Sequence, residues 1–438
     1  MKSKTSTSIT AMMLFAALAI PVRLTAQGQK EDNEHQRYKL VDVGTFGGPA
    51  SYLAIDGNGN GSLSAFLNIR GTGVGAADTS TPDPNFLHSN GFFPSDGFIV
   101  HAFQWQKGVL TDLGALPGGN NSFATWISAN GLIAGFSENG VIDPQADIPQ
   151  VNAVLWKDGQ IINLGGYFSS ASAVNNRGQV VGNTLNTATL PALNVRAFLW
   201  ENGAMQDLGT LGGLDSFAFF VNERGQVAGM SFPNSAASQN CAFAFVTHPF
   251  LWDNGKMTDL GTLGGTCGLA NALNNRGQVV GQSNLVGDLT YHPFLWDKRD
   301  NLPLTDLGTL GGDNGYADWI NDAGEVVGKA DLPGSQTHHA FLWNNGMMSD
   351  LGTVGSDPCS GALGINSRHQ VVGFSSNCMV NLHAFLWEDG QITDLNVFNR
   401  PGSGLQRTTS TRVARLSAWV SLPVSIQRMY LPLDMFSR

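Results

Sequence analysis

The chain has 438 residues, a formal net charge of −10, 13% charged residues and 54 glycines. That length exceeds what one ordinary core serves and calls for several domains or one large repeat array. The negative charge excludes a protein that works mainly by neutralising nucleic-acid phosphates, and the glycines disfavour long helices, which lose about 1 kcal/mol per glycine relative to alanine.

Residues 1–26 carry Lys2 and Lys4, an apolar run from Ile9 to Ile20, and Ala26 as a small residue for cleavage. The run is too short to cross a bilayer, and the pattern is that of a secretory signal peptide. No later stretch approaches the roughly 20 apolar residues of a transmembrane helix. The expectation is a secreted protein, extracellular or periplasmic, without a membrane span. Residues 27–39 read as an N-terminal linker.

From residue 40 to 397 one pattern recurs. Trp105, Trp156, Trp200, Trp252, Trp296, Trp343 and Trp387 are spaced by 51, 44, 52, 44, 47 and 44 residues. Each closes a phrase such as HAFLW; a turn comes next, then a DLG-like phrase, then a stretch such as ALNNRGQVVG (272–281). A period near 44–50 residues is that of propellers and solenoids. Asp158-Gly159, Asn202-Gly203, Asn254-Gly255, Asn345-Gly346 and Asp389-Gly390 supply positive-φ hairpin turns. HAFLW and QVVG are apolar at nearly every position, so both faces of those strands are covered, as they are between neighbouring blades. The fold expected is all-β: a β-propeller-like array of about seven four-stranded blades, or eight if the last unit is truncated. The units at the two chain ends are expected to close the ring by pairing with each other. The thrice-written DLGTLGG (207–213, 259–265, 306–312) then reads as a strand end and a glycine turn that every blade repeats.

After Asn399 the pattern stops, and six of the fifteen arginines lie beyond it. Residues 398–438 read as an atypical Arg-rich tail, with the composition expected of an out-of-frame translation or of disorder.

HAFLW, DLGTLGG and INxxGQVVG, recurring in that order, resemble the HAF-repeat family of bacterial extracellular proteins. The resemblance implies secretion and a propeller-like fold, and says little about activity. Asn152-Ala153-Val154, Arg196 and Asn163-Leu164-Gly165-Gly166 depart from its pattern.

His101, His248, His292, His339 and His383 share one unit position. Were HAFLW the innermost strand they would crowd a central channel and invite a metal, but symmetry spaces them apart and Arg196 would repel a cation. A repeated hydrogen bond to a neighbouring loop is the competing reading. DGNGNG (56–61) resembles the start of a calcium loop but has Leu67 where a carboxylate is required. Asp112, Asp207, Asp259, Asp306, Asp350 and Asp394 stand one per unit and read as partners of the adjoining glycine turn. There is no Gly-x-Ser-x-Gly, His-Glu-x-x-His or Cys-x-x-Cys, and neither catalytic residues, cofactor nor metal are assigned.

Four cysteines in an exported chain imply disulfides. The turn after the DLG strand and the connection from QVVG to HAFLW emerge on the same face, which pairs Cys241 with Cys267 and Cys359 with Cys378. That face also carries the connections of variable length, 76–100, 136–151, 183–195 and 230–247, where ligand contacts would reside. The residues singled out there are Asp96, Phe98, Glu138, Asp143 and Asp147, beside Asp78 and Asp83. The functional expectation is a secreted non-enzymatic binding or scaffold protein whose partner is an extracellular glycan or envelope component. Two alternatives stand beside it: a carbohydrate-active enzyme using loop carboxylates, and a structural surface repeat protein.

Overall fold

Short apolar segments separated by turns that favour positive φ fold into hairpins, and here they form 28 strands in seven four-stranded antiparallel sheets. This computed structural model describes residues 42–52, 66–88, 91–94, 96–186, 194–238, 241, 245–299, 303–378 and 383–395. Residues 1–39, the DGNGNG segment and the tail from 398 lie outside them. Every sheet is built from four strands consecutive in the chain; blade 2, for example, comprises Ser122–Ile127, Ile133–Ile142, Pro149–Lys157 and Gln160–Gly165. The first strands of blades 2 to 7 touch in succession and line the axis. The result is a seven-bladed propeller.

The position of HAFLW is settled and one expectation is corrected. HAFLW is the third strand of each blade, not the innermost; the innermost is the strand before the Asn-x-x-Gly turn. And no sheet mixes the two ends of the chain: blade 1 spans Gly47 to Asp112 and blade 7 spans Cys359 to Asp394. Both end blades are complete by themselves because the structural unit begins at the inner strand, so nothing is left over to exchange. In blade 1 the repeated turn is formed by Asn68, whose Oδ1 accepts from the N–H groups of Arg70 and Thr72.

Each recurring phrase has a packing reason. The glycine of QVVG lies directly opposite the phenylalanine of HAF, as in Gly229↔Phe250 and Gly328↔Phe341. Phe103, Phe198, Phe250, Phe294, Phe341 and Phe385 are all fully buried. On the other side of that glycine the inner strand carries a bulge, between Ala218 and Phe220 in blade 4. The bulge brings a carbonyl so close that a Cβ on Gly229 would sit 1.9 Å from the Phe217 oxygen.

DLGTLGG ties each blade to the next. Asp207 Oδ1 accepts from Gly209 N–H at 2.8 Å, and Thr210 Oγ1 donates to the Gly213 carbonyl at 2.9 Å. Ser216 of the next blade donates to the Gly209 carbonyl at 2.7 Å, and Ser231 accepts from Leu211 N–H at 3.0 Å. The opposite rim has its own ladder. Asn175, Asn222 and Asn274 each donate through Nδ2 to the backbone carbonyl of the equivalent asparagine one blade on, at 2.9 to 3.0 Å. Asn321 does the same to Asn366 at 3.2 Å. Each of these asparagines also donates within its own blade, to Gln179, Gln226, Gln278 or Glu325, and the second bond across the boundary couples neighbouring blades.

Cys241–Cys267 and Cys359–Cys378 are both disulfide-bonded, closing separations of 26 and 19 residues. Loops of that size contribute about 3 kcal/mol each in the chain-entropy account. Two disulfides are compatible with an extracellular or periplasmic location. Among the described residues no helix is long and apolar enough to cross a membrane.

Candidate functional site

The histidine position is the first to be settled by the fold. Being on the third strand, it meets the aspartate of the fourth: His101, His248, His292 and His339 approach Asp112, Asp259, Asp306 and Asp350 through Nδ1 at 2.8 to 2.9 Å. Blade 3 keeps the pair as Arg196–Asp207 and blade 2 as Asn152–Asn163, while His383 turns instead to Asp357. Burial raises the Asp112 and Asp259 carboxyls, but their histidine and glycine N–H bonds outweigh it and hold both below the ordinary value. These histidines are therefore cross-strand partners within their own blades rather than a channel ring. Among the described residues no cluster of three or more metal-ligating side chains is assembled.

The axis is closed by aromatic side chains. Trp126, Phe220 and Trp319, from the inner strands of blades 2, 4 and 6, meet with ring centroids 5.9 to 6.4 Å apart. The equivalent positions in blades 3, 5 and 7 are Ala173, Ala272 and Gly364. Large and small residues alternate because seven large rings would not fit at one level of the axis. Nearer the loop face stands Asp318, one residue before Trp319 at the blade 6 bulge. Burial pushes its carboxyl up to about 7, against the pull of Lys329. The Lys329 ammonium lies 4.8 Å from the Tyr316 ring centroid and 5.8 Å from that of Phe374. Burial first, then the charges of Lys329 and His339, hold His338 down to about 4.

The loop face over blades 1 and 2 gathers most of the sequence-predicted residues. The segments expected as long loops are largely extended hairpin arms: strands run to Pro82 and from Phe98 in blade 1, and to Ile142 and from Pro149 in blade 2. Phe93 and Phe136 are buried with Phe123 in a small core beneath them, so these phenylalanines pack inward; Phe98 opens the third strand opposite Pro82. Glu138 is buried, accepting from the N–H groups of Asn120 and Asn121 and from Asn121 Nδ2 at 3.0 to 3.2 Å. Burial raises its pKa in spite of those bonds. Asp143 is also buried and caps its own loop, accepting from Gln145 and Ala146 N–H and, at 2.7 Å, from the Tyr167 hydroxyl. Burial raises Asp143, and these bonds outweigh it to leave the carboxyl below its usual value. Asp147 is exposed at the tip of the same loop, with φ +54°.

Asp96 belongs to a different constellation. It is exposed and accepts from the Tyr52 hydroxyl at 2.6 Å, and that hydroxyl lies 3.5 Å from Asp78 Oδ2. Asp78 is fully buried; its Oδ2 accepts from Ala50 N–H at 2.8 Å and its Oδ1 has no hydrogen-bond partner. Burial, then the neighbouring Asp96 charge, pushes the Asp78 carboxyl up to about 7. Tyr52 and Asn121, which join these acids, carry no signal in the sequence, because each meets its partners only through the fold.

A raised carboxyl pKa means that the folded state favours the protonated form. The stability linked to Asp78 is thus fully present below 3.8 and is lost as pH rises through about 7. Thermal melts of the native chain and of Asp78→Asn between pH 4 and 8 are expected to diverge as pH rises, with the variant losing less. Parallel curves would contradict the assignment.

No protein-family model matches the chain, and no curated protein matches it. Solved structures do. The β-propeller domain of the Trilobed protease from Pyrococcus furiosus, described as having an open velcro topology, is similar at 9% identity and a TM-score of 0.42, over 70% of this chain and 93% of that one. The acylaminoacyl peptidase of Pyrococcus horikoshii is similar at 10% and 0.42, covering 78% of this chain and 54% of that one. Dipeptidyl peptidase 4 of Porphyromonas gingivalis stands at 10% and 0.43, with 68% and 50%. The chain thus spans about half the length of the two peptidases. These three structures are of peptidases or a domain of one, a finding that stands against the expectation of a non-enzymatic binding or scaffold protein. At such identity the likeness is one of fold.

Proposed function

We propose that this chain is the substrate-handling propeller of an extracellular peptidase system, with the loop face of blades 1 and 2 receiving positively charged peptides. The observation that supports this is the charge of that face. The segments that build it, residues 42–52, 76–88, 91–94, 96–100, 113–122, 136–151 and 164–170, carry seven acids and not one lysine or arginine. A one-signed surface concentrates ligands of the opposite sign. Peptides bring ammonium and guanidinium groups, whereas uronate- or sulfate-bearing glycans would be repelled. Asp42, Asp96 and Asp147 are the exposed carboxylates of the face, and the buried Asp78 lies beside Asp96. The chain carries no nucleophile elbow or zinc-protease motif, so hydrolysis belongs to another chain or domain. Secretion through residues 1–26 and membership of the HAF-repeat family are part of the same proposal.

The test is binding of a fluorescent lysine-containing peptide to the purified protein, against a glutamate-containing peptide and an acidic oligosaccharide. Saturable binding of the basic peptide alone is expected, weakening with salt. The Asp96→Asn/Asp147→Asn variant is expected to bind about threefold to tenfold more weakly, since exposed pairs contribute up to about 1 kcal/mol each. Equal binding of the acidic ligands would sink the reading. Cleaved peptide in the mixture would move the chemistry into this chain.

A further inference from the structure

The one place where the hairpin between third and fourth strands departs from the repeat lies on the face opposite the acids. In six blades that turn is two residues long, as in Asp253–Lys256 and Glu388–Gln391. In blade 5 the third strand ends at Asp297 and the fourth starts at Thr305. The histidine–aspartate pair registers the insertion: the separation is 14 residues for His292–Asp306 and 11 for His248–Asp259. The inserted connection begins with Lys298 and Arg299.

These two cations meet Arg224 and Arg276, from the Asn-x-Arg-Gly turns of blades 4 and 5. With Gln226 they line an open cavity of about 470 Å³, with no carboxylate among the described residues of its wall. Asp253 and Asp297 sit at its edge, where they engage Lys298 and Arg299. Arg276 is steadied through Nη1 by the Ala323 carbonyl at 3.2 Å. Among the described residues no carboxylate pairs with Arg224 or Arg276 in an ion pair. Four cations thus stand around one cavity in a protein of net charge −10. Fold maintenance does not explain this, because six other blades make the same corner with two residues.

We propose that this cavity is an anion site for a phosphate dianion, either free or as the terminal group of a phosphomonoester. A phosphate carries about −1.5 to −2 charges at pH 7, which suits two arginines that make no ion pair among the described residues. Guanidinium groups bind its oxygens through paired N–H donors. The site is independent of the acidic face and of the peptide reading.

Inorganic phosphate is the probe. Titration of the purified chain by calorimetry at constant ionic strength, with chloride as the compensating salt, is expected to show saturable binding with one site per chain. Arg224→Gln and Arg276→Gln are each expected to weaken it at least tenfold while melting temperature and circular dichroism show both variants folded. Glucose 6-phosphate is expected to compete and glucose is not. Absence of saturable binding, equal affinity in both arginine variants, or equal binding of acetate would overturn the proposal. If one variant fails to fold, the other decides.

Discussion

Gly229→Ala is expected to cost about 3 kcal/mol of stability, as overpacking in a rigid site does, although alanine is ordinarily the better strand residue by 0.5–1 kcal/mol. The reason is geometric. The added Cβ would stand 1.9 Å from the Phe217 carbonyl oxygen and 2.9 Å from its carbon, both backbone atoms that have nowhere to go. They are fixed by the bulge between Ala218 and Phe220, and Phe250 fills the space on the opposite side. Relief by sliding the inner strand would break its contacts with the neighbouring inner strands at the axis. Denaturant unfolding measures the effect directly. The control is Gly255→Ala, at φ +85° in a hairpin turn with nothing within 4 Å of the new Cβ. There only the left-handed conformation opposes the change, at about 1–2 kcal/mol. Equal costs at the two sites would mean that close approach is not what selects glycine in QVVG.

The second large effect lies at the axis. Trp319→Ala is expected to lose about 3–5 kcal/mol, since its ring packs on both Trp126 and Phe220 and borders the cores of blades 6 and 7. Trp126 and Trp319 come from blades that are not neighbours, so their contact exists only because the array curves into a ring. A double-mutant cycle between them is expected to give a coupling of about 0.5–1.5 kcal/mol, the range for aromatic pairs. A coupling of zero would show that the two rings do not meet. The alternation of large rings in blades 2, 4 and 6 with Ala173, Ala272 and Gly364 makes a further point. A tryptophan introduced at Ala272 would compete for space already filled.

The loop face and the anion cavity represent opposite kinds of departure from the repeat. On the loop face, insertions of acids and phenylalanines lengthen strands and build a small core, and Asp96 and Asp147 stay exposed. At the cavity, a short insertion adds two cations to two that the repeat already supplies. In both, the proposed ligand site lies where the chain departs from the repeat.

The sequence by itself determined the period, the four strands per unit, the turns and the disulfide pairs. These depend on local chemistry: Asp-Gly and Asn-Gly adopt positive φ wherever they stand, and a continuously apolar strand requires cover on both faces. The partner of the repeated aspartate was half legible, since its bond to the adjoining glycine is local and its bond to histidine crosses strands. Only the tertiary structure decided which strand is innermost, because the repeat is cyclic and any strand could open the unit. It alone decided that both end blades close within themselves, that Trp126, Phe220 and Trp319 converge, and that Tyr52 stands between Asp78 and Asp96. The Tyr52 contacts join strands of one blade across long connections, whereas the axial contacts join different blades at distances set by the curvature of the ring, which no single unit contains.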